Sequence, residues 1–259
     1  MLYRLGGNSM IFYFTATGNS KFIAERIAAE TGGQLINIAD CVQGEQYSFA
    51  LGDDEALGFV VPVYFYGIPM IVAEFLQKLK ISAGHDYYSY VVLNSGGTAG
   101  DAEGLFRRTF PVNAVFGIAV VSNYVPLYPM ESETEIAKSL ERAVRETDVI
   151  IQHIRDRSVG SFNATKGHFP RLSTFVAYPL YKYGRKTGKF TVNENCTGCG
   201  LCERICPRKA IRVESGAPVW TAAQCEFCLG CLHRCPSAAI NYGRKSAENG
   251  RYVNPHVRF

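Results

Sequence analysis

Cys196, Cys199, Cys202 and Cys206-Pro207, followed by Cys225, Cys228, Cys231 and Cys235-Pro236, write the pattern C-x-x-C-x-x-C-x-x-x-C-P twice in one short stretch. No other feature restricts the possible folds so tightly. A cubane of iron and sulfide needs four converging thiolates, and three at i, i+3 and i+6 wrap one cluster only where the intervening chain turns sharply. The spacing is that of two [4Fe–4S] clusters. Zinc ribbons pair C-x-x-C motifs across a longer gap with no third Cys at i+6, and a disulfide framework would go with a secretory signal, which is not seen. In the two-cluster arrangement the fourth Cys of each run ligates the other cluster. The expected sets are Cys196, Cys199, Cys202 with Cys235, and Cys225, Cys228, Cys231 with Cys206.

These runs resemble the bacterial two-cluster ferredoxins, a likeness covering residues 190 to 243. The residues after each proline repeat as well, Pro207-Arg208-Lys209-Ala210-Ile211 and Pro236-Ser237-Ala238-Ala239-Ile240. The repeat implies a pseudo-twofold α+β fold in which Ile211 and Ile240 pack near the clusters. Small and apolar residues between the ligands leave backbone N–H groups free to point at sulfide, which tunes the reduction potential. The ninth cysteine, Cys41, comes after a strand and is expected to be a buried structural thiol.

A chain of 259 residues accommodates one or two domains, and the cysteine-dense segment is too small to fill it. No apolar run reaches the roughly 18 residues that span a bilayer, and the composition suits a cytoplasmic protein. Residues 1 to 9 are polar and precede the first strand, so an unpacked upstream extension is expected there. Residues 10 to 157 alternate strands and helices, the pattern of a parallel sheet covered on both faces. Strands are expected at 10 to 14, 34 to 39, 56 to 61, 88 to 93 and 114 to 121, with helices at 19 to 31, 69 to 80, 101 to 108 and 133 to 156.

The turn after the first strand, Thr15-Ala16-Thr17-Gly18-Asn19-Ser20-Lys21, clusters hydroxyl and amide donors at a helix N-terminus. Unpaired N–H groups and the positive end of the helix dipole make that a phosphate site, or the turn is an ordinary helix cap. Neither the Walker spacing nor the Gly-x-Gly-x-x-Gly fingerprint is present. The turn resembles the flavodoxin phosphate loop, matched by Thr15, Thr17, Gly18, Asn19 and Ser20. The resemblance implies FMN bound on a flavodoxin-like, doubly wound five-stranded parallel sheet of order 2-1-3-4-5. Two further loops, Pro62-Val63-Tyr64-Phe65-Tyr66-Gly67 and Asn94-Ser95-Gly96-Gly97-Thr98, would then lie at the carboxyl ends of neighbouring strands, where such sheets bind ligands. Tyr64, Phe65 and Tyr66 offer faces to a flavin ring, and Asn94, Gly96, Gly97 and Thr98 let backbone donors approach its polar edge. Tyr124 and Tyr128 either shield the flavin, meet a partner, or belong to a proline-stiffened connector.

Residues 158 to 190 carry Lys166, Arg171, Lys182, Arg185, Lys186 and Lys189 and no acidic residue, with seven aromatics among them. That is too aromatic for a free linker. The segment is expected to lie on the domains, its charges meeting an acidic redox partner or acidic patches of the same chain. A net charge of +4 with no recognised module speaks against nucleic acid.

Taken whole, the chain resembles the flavodoxin–ferredoxin fusion proteins of anaerobic and facultative bacteria and archaea. The implied division is a flavodoxin-like domain at 10–157, a basic aromatic linker at 158–190, a two-cluster ferredoxin domain at 191–243 and a tail at 244–259. The implied cofactors are FMN and two [4Fe–4S] clusters, and the implied partners are redox proteins. Three roles stay open: an electron carrier, a flavin-dependent reductase of a small oxidant such as a quinone, and an iron–sulfur redox sensor.

Overall fold

The computed structural model describes residues 9–259. In chain order its elements are β1 (Ser9–Tyr13), α1 (Asn19–Thr31), β2 (Gln34–Asn37), α2 (Ile38–Gln43), β3 (Ser48–Ala50), β4 (Ala56–Pro62), α3 (Met70–Lys78), β5 (Lys80–Ser82), β6 (Ser89–Ser95), α4 (Ala102–Thr109), β7 (Ala114–Ala119) and α5 (Glu133–Arg155). Beyond these come β8 (Gly160–Phe162), α6 (Pro170–Gly184), β9 (Phe190–Val192), α7 (Leu201–Arg204), β10 (Ile211–Glu214), β11 (Ala217–Trp220), α8 (Gly230–His233) and β12 (Ile240–Tyr242).

The main sheet runs β2-β1-β4-β6-β7-β8, all parallel. Its first five strands have the 2-1-3-4-5 order of a flavodoxin-like doubly wound sheet. Strand residues alternate faces, so Met10, Phe12 and Phe14 enter one apolar core with Phe59, Phe75 and Phe106. Ile11 enters the other, with Ile23 and Ile27 of α1 and Ile150, Ile151 and Ile154 of α5. The expected second strand stops at Asn37, whose side chain accepts a hydrogen bond from the Ala39 N–H and caps α2.

The sheet has six strands where five were expected. Gly160 donates its N–H to the Asn113 carbonyl and Phe162 stacks on Phe116 at 5.3 Å, which adds β8 as an edge strand from within the basic segment. The expected extension at residues 1 to 9 falls outside the described residues except for Ser9. Ser9 is buried in β1, its Oγ 2.7 Å from Thr31 Oγ1, so β1 includes one residue more than expected at its start.

Cys41 lies in the first core, and burial, reinforced by the Asp40 carboxylate, pushes its thiol up to about 12. At pH 8 the thiolate is on the order of one part in ten thousand. Cys41 is therefore expected to escape alkylation by N-ethylmaleimide in the folded protein and to react after denaturation, as read by peptide mass mapping.

Residues 190–243 form two antiparallel pairs, β9 with β12 and β10 with β11. Their core contains Phe190, Ile211, Phe227, Leu232 and Ile240 and runs without a break into Tyr64, Phe65 and Tyr124 of the first domain. The two domains share this third core. Glu226, 1% exposed, fastens it: Oε1 accepts from Tyr181 Oη at 2.5 Å and from the Ile71 N–H at 3.2 Å, while Oε2 accepts from Arg208 Nε at 2.8 Å. Arg208 reaches on to Glu74 of α3. Because α3 has Pro69 at its cap position with no side-chain cap of its own, the second domain's carboxylate and the Tyr181 hydroxyl close its N-terminus.

Candidate functional site

The carboxyl ends of β1, β4, β6 and β7 surround a cavity of about 430 Å³, within the range of roughly 300–1,000 Å³ for small-molecule sites. Thr15, Thr17, Asn19, Ser20, Pro62, Tyr64, Phe65, Tyr66, Asn94, Gly96, Gly97 and Thr98 line it, and so do Tyr124 and Tyr128. Gly18 and Gly67, also read as binding residues, are not among the residues that line it. Gly67 closes a two-residue turn with Tyr64 through reciprocal N–H to carbonyl bonds of 2.8 and 2.9 Å.

That turn places Phe65 and Tyr66 at φ 49° and 62°. Two positive φ values in a two-residue hairpin are the type I′ geometry, which ordinarily takes Asn-Gly. Large aromatic residues there store strain of roughly 1–2 kcal/mol each. Phe65 stacks on Tyr181 and meets Tyr124 edge-on at 5.3 Å.

The Thr15–Ser20 loop leads directly into α1. Helix α1 has no side-chain cap and no acidic residue in its first turn, so its N-terminal N–H groups and dipole are open to an anion. The loop is held from outside. Thr17 Oγ1 accepts from Asn123 Nδ2 at 2.7 Å, and Ser20 Oγ accepts from Asn94 Nδ2 at 2.9 Å. Asn19 Oδ1 accepts from Tyr252 Oη at 2.6 Å and Asn254 Nδ2 at 3.1 Å, and the Asn254 N–H donates to the Thr17 carbonyl at 2.7 Å. The final segment thus returns to the first loop. Gly18 sits at φ 106°, and a Cβ on it would come within 2.8 Å of Asn254 Cβ. Gly18→Ala adds backbone strain of about 1–3 kcal/mol and displaces the tail, so FMN affinity is expected to fall roughly tenfold to a hundredfold, as read by flavin fluorescence titration.

Two smaller cavities lie in the second domain. One is lined by Cys196, Cys199, Cys202 and Cys235, the other by Cys206, Cys225, Cys228 and Cys231. Ile240 borders the first and Ile211 the second. The repeat extends to sulfur contacts: the Ala210 N–H donates to Cys206 Sγ at 3.2 Å and the Ala239 N–H to Cys235 Sγ at 3.3 Å. Phe227 N–H donates to Cys225 Sγ at 3.2 Å. Soft thiolates with backbone donors are the surroundings an iron–sulfur cluster uses. Cys206 and Cys225 are buried, whereas Cys199 is exposed.

Phe227, Cys228 and Leu229 line both the second cysteine cavity and the large cavity. Sequence reading missed this shared wall, yet a signal was available. Aligning the two runs sets Phe227 against Gly198 and Leu229 against Gly200. All four have positive φ, 66° and 73° at the glycines, 55° and 58° at Phe227 and Leu229. The first run uses residues that adopt this backbone freely; the second accepts strain to present large apolar side chains to the first domain. Ser122 and Asn123 also line the large cavity. His233 ties the parts together, its Nδ1 accepting the Tyr252 N–H at 3.1 Å and its Nε2–H donating to the Asn123 carbonyl at 2.8 Å. Burial lowers its imidazole to about 4, so the ring is neutral and takes this one tautomer.

The sheet, the loops and the paired cysteine cavities define an electron-transfer protein carrying FMN and [4Fe–4S] clusters. Residues 10–100 match the flavodoxin domain family and residues 195–240 the 4Fe-4S dicluster domain family. Ferredoxin-1 of Chlorobaculum tepidum is 40% identical over 58 residues, which cover 20% of this chain and 94% of that protein. The chain belongs with the ferredoxins through this module, and as a whole it is a flavodoxin–ferredoxin fusion. Among solved structures, NAD(P)H:quinone oxidoreductase from Methanothermobacter marburgensis aligns with a TM-score of 0.36 and 13% identity, over 56% of this chain and 96% of that one. Rubredoxin oxygen:oxidoreductase from Desulfovibrio gigas aligns with a TM-score of 0.34 and 14% identity over 58% of this chain, which spans only 37% of that protein.

Proposed function

We propose that the chain is an electron carrier in which a redox protein docks at the exposed Cys199 edge and exchanges electrons with the flavin cavity by way of the inner cysteine quartet. The observation that carries this reading is the shared wall: Cys228, with Phe227 and Leu229, borders both the inner quartet and the flavin cavity. Clusters supply single electrons and FMN accepts one or two, so the pair joins one-electron carriers to two-electron chemistry. We assign Cys196, Cys199, Cys202 and Cys235 to the outer cluster and Cys206, Cys225, Cys228 and Cys231 to the inner one. Thr15, Thr17 and the N-terminus of α1 would hold the phosphate, Phe65, Tyr66 and Tyr124 would enclose the ring, and Gly96 and Gly97 would offer backbone donors to it. Oxygen-sensitive clusters suit a reducing compartment, and the cytoplasm is the proposed location. Anaerobic stopped-flow mixing with a reduced one-electron carrier protein tests the order. Cluster absorbance should change before flavin absorbance, and a flavin that responds first would overturn the route.

A second reading, reduction of a small apolar oxidant at the flavin, is favoured by the cavity mouth, where Tyr66, Leu127 and Tyr128 are exposed. Rapid oxidation of the reduced protein by a soluble quinone, saturating with quinone concentration, would distinguish it from simple carriage.

A further inference from the structure

Helix α6 is built inside out. A helix covering a sheet normally turns its apolar stripe inward, but here the inward positions are Thr174, Tyr178 and Tyr181, each hydrogen-bonded. Thr174 Oγ1 donates to the Tyr66 carbonyl at 2.7 Å, Tyr178 Oη to the Ile68 carbonyl at 2.8 Å, and Tyr181 Oη to Glu226. The outward positions Leu172, Phe175, Val176, Leu180 and Tyr183 have the i, i+3, i+4, i+8, i+11 spacing of one helix face, and each is between 60% and 79% exposed. Phe169, just before the helix, is 72% exposed as well.

We infer that this face docks on an anionic lipid bilayer, lying in the interface without crossing it. An aromatic and aliphatic helix face rimmed by cations has the composition of an interfacial helix. Arg171 and Lys182 lie along one flank of the stripe, both exposed, with Lys186 and Lys189 just beyond the helix, also exposed. No carboxylate side chain occurs between residues 158 and 190, so the whole surface segment complements a negative leaflet. Self-association fits less well, because it would set this acid-free segment against its own cations. A purely acidic protein partner would leave the apolar stripe unanswered. No helix among the described residues is long and apolar enough to cross a membrane. Through Thr174 and Tyr66 the same helix is bonded to the wall of the flavin cavity, so the docking element is attached to that site.

Vesicle flotation of the intact, anaerobically purified protein tests this. Vesicles of phosphatidylcholine with about 30% phosphatidylglycerol are expected to carry the protein upward, and phosphatidylcholine alone to carry far less. The double variant F175E/L180E alters only exposed side chains and should keep its cluster and flavin absorbance while its partition coefficient drops roughly tenfold or more. R171E/K182E should lose the preference for the anionic vesicles. Failure of the intact protein to float with anionic vesicles would overturn the proposal, as would equal flotation of F175E/L180E. A stable dimer in sedimentation that F175E/L180E dissociates would overturn it too, by giving the stripe another occupant.

Discussion

Cys206→Ala is expected to abolish the cluster beside the flavin and spare the outer one. Iron should fall from about eight to about four per chain, with FMN retained, and electron delivery to the flavin from an external one-electron donor should slow by orders of magnitude. The reason is the crossed arrangement. Cys206 belongs in sequence to the first run, yet it lines the cavity of Cys225, Cys228 and Cys231. Cys235→Ala is the counterpart, because Cys235 lines the cavity of the first run. It should also halve the iron but leave the remaining cluster adjoining the flavin wall. Iron analysis alone does not separate the two variants, whereas flavin reduction rate together with electron paramagnetic resonance does. An uncrossed arrangement would give the reverse result, with Cys206→Ala sparing flavin-coupled electron transfer.

Glu226→Ala is expected to destabilise the folded chain by about 3–5 kcal/mol, the usual consequence of breaking a buried ion pair on one side. The variant strands Arg208, the Tyr181 hydroxyl and the Ile71 N–H at once, and two of these three come from outside the ferredoxin module. The loss should therefore be felt across both domains, as a lower guanidinium midpoint for the flavin and the cluster signals together. Glu226→Gln is the graded control. Its amide oxygen still accepts from Tyr181 and Ile71, but its NH₂ now faces Arg208, so a loss of roughly 1–3 kcal/mol is expected. If only the cluster signal moved in Glu226→Ala, the carboxylate would not be the fastening between domains.

What sequence reading could reach was set by how local the signal is. The five main strands announce themselves through continuous apolar runs, and the cluster ligands through spacing, because both are properties of neighbours in the chain. The three-residue strand β8 has no such signal. Its place is fixed by a ring stacked on Phe116 and by the Asn113 carbonyl, both more than forty positions back in the chain. Glu226 reads in sequence as one charge between two cysteine ligands, and only the fold shows that it caps a helix of the other domain. Asn254 and Tyr252 likewise carry no pattern that points to Asn19. Phe227 and Leu229 are the instructive case, because the internal repeat itself marks them as departures from glycine, and the departure falls where the module meets the flavin wall.

The contact between Asn254 and the Thr15–Ser20 loop also has a meaning in time. During synthesis, residue 254 emerges after residue 17 by on the order of ten to fifty seconds at usual ribosomal speeds. All eight cluster cysteines emerge in that interval. The hydrogen bonds from Tyr252 and Asn254 to this loop therefore form only on chains whose iron-binding module has already been made, and the bracing of the flavin site is a late event in the biogenesis of this protein.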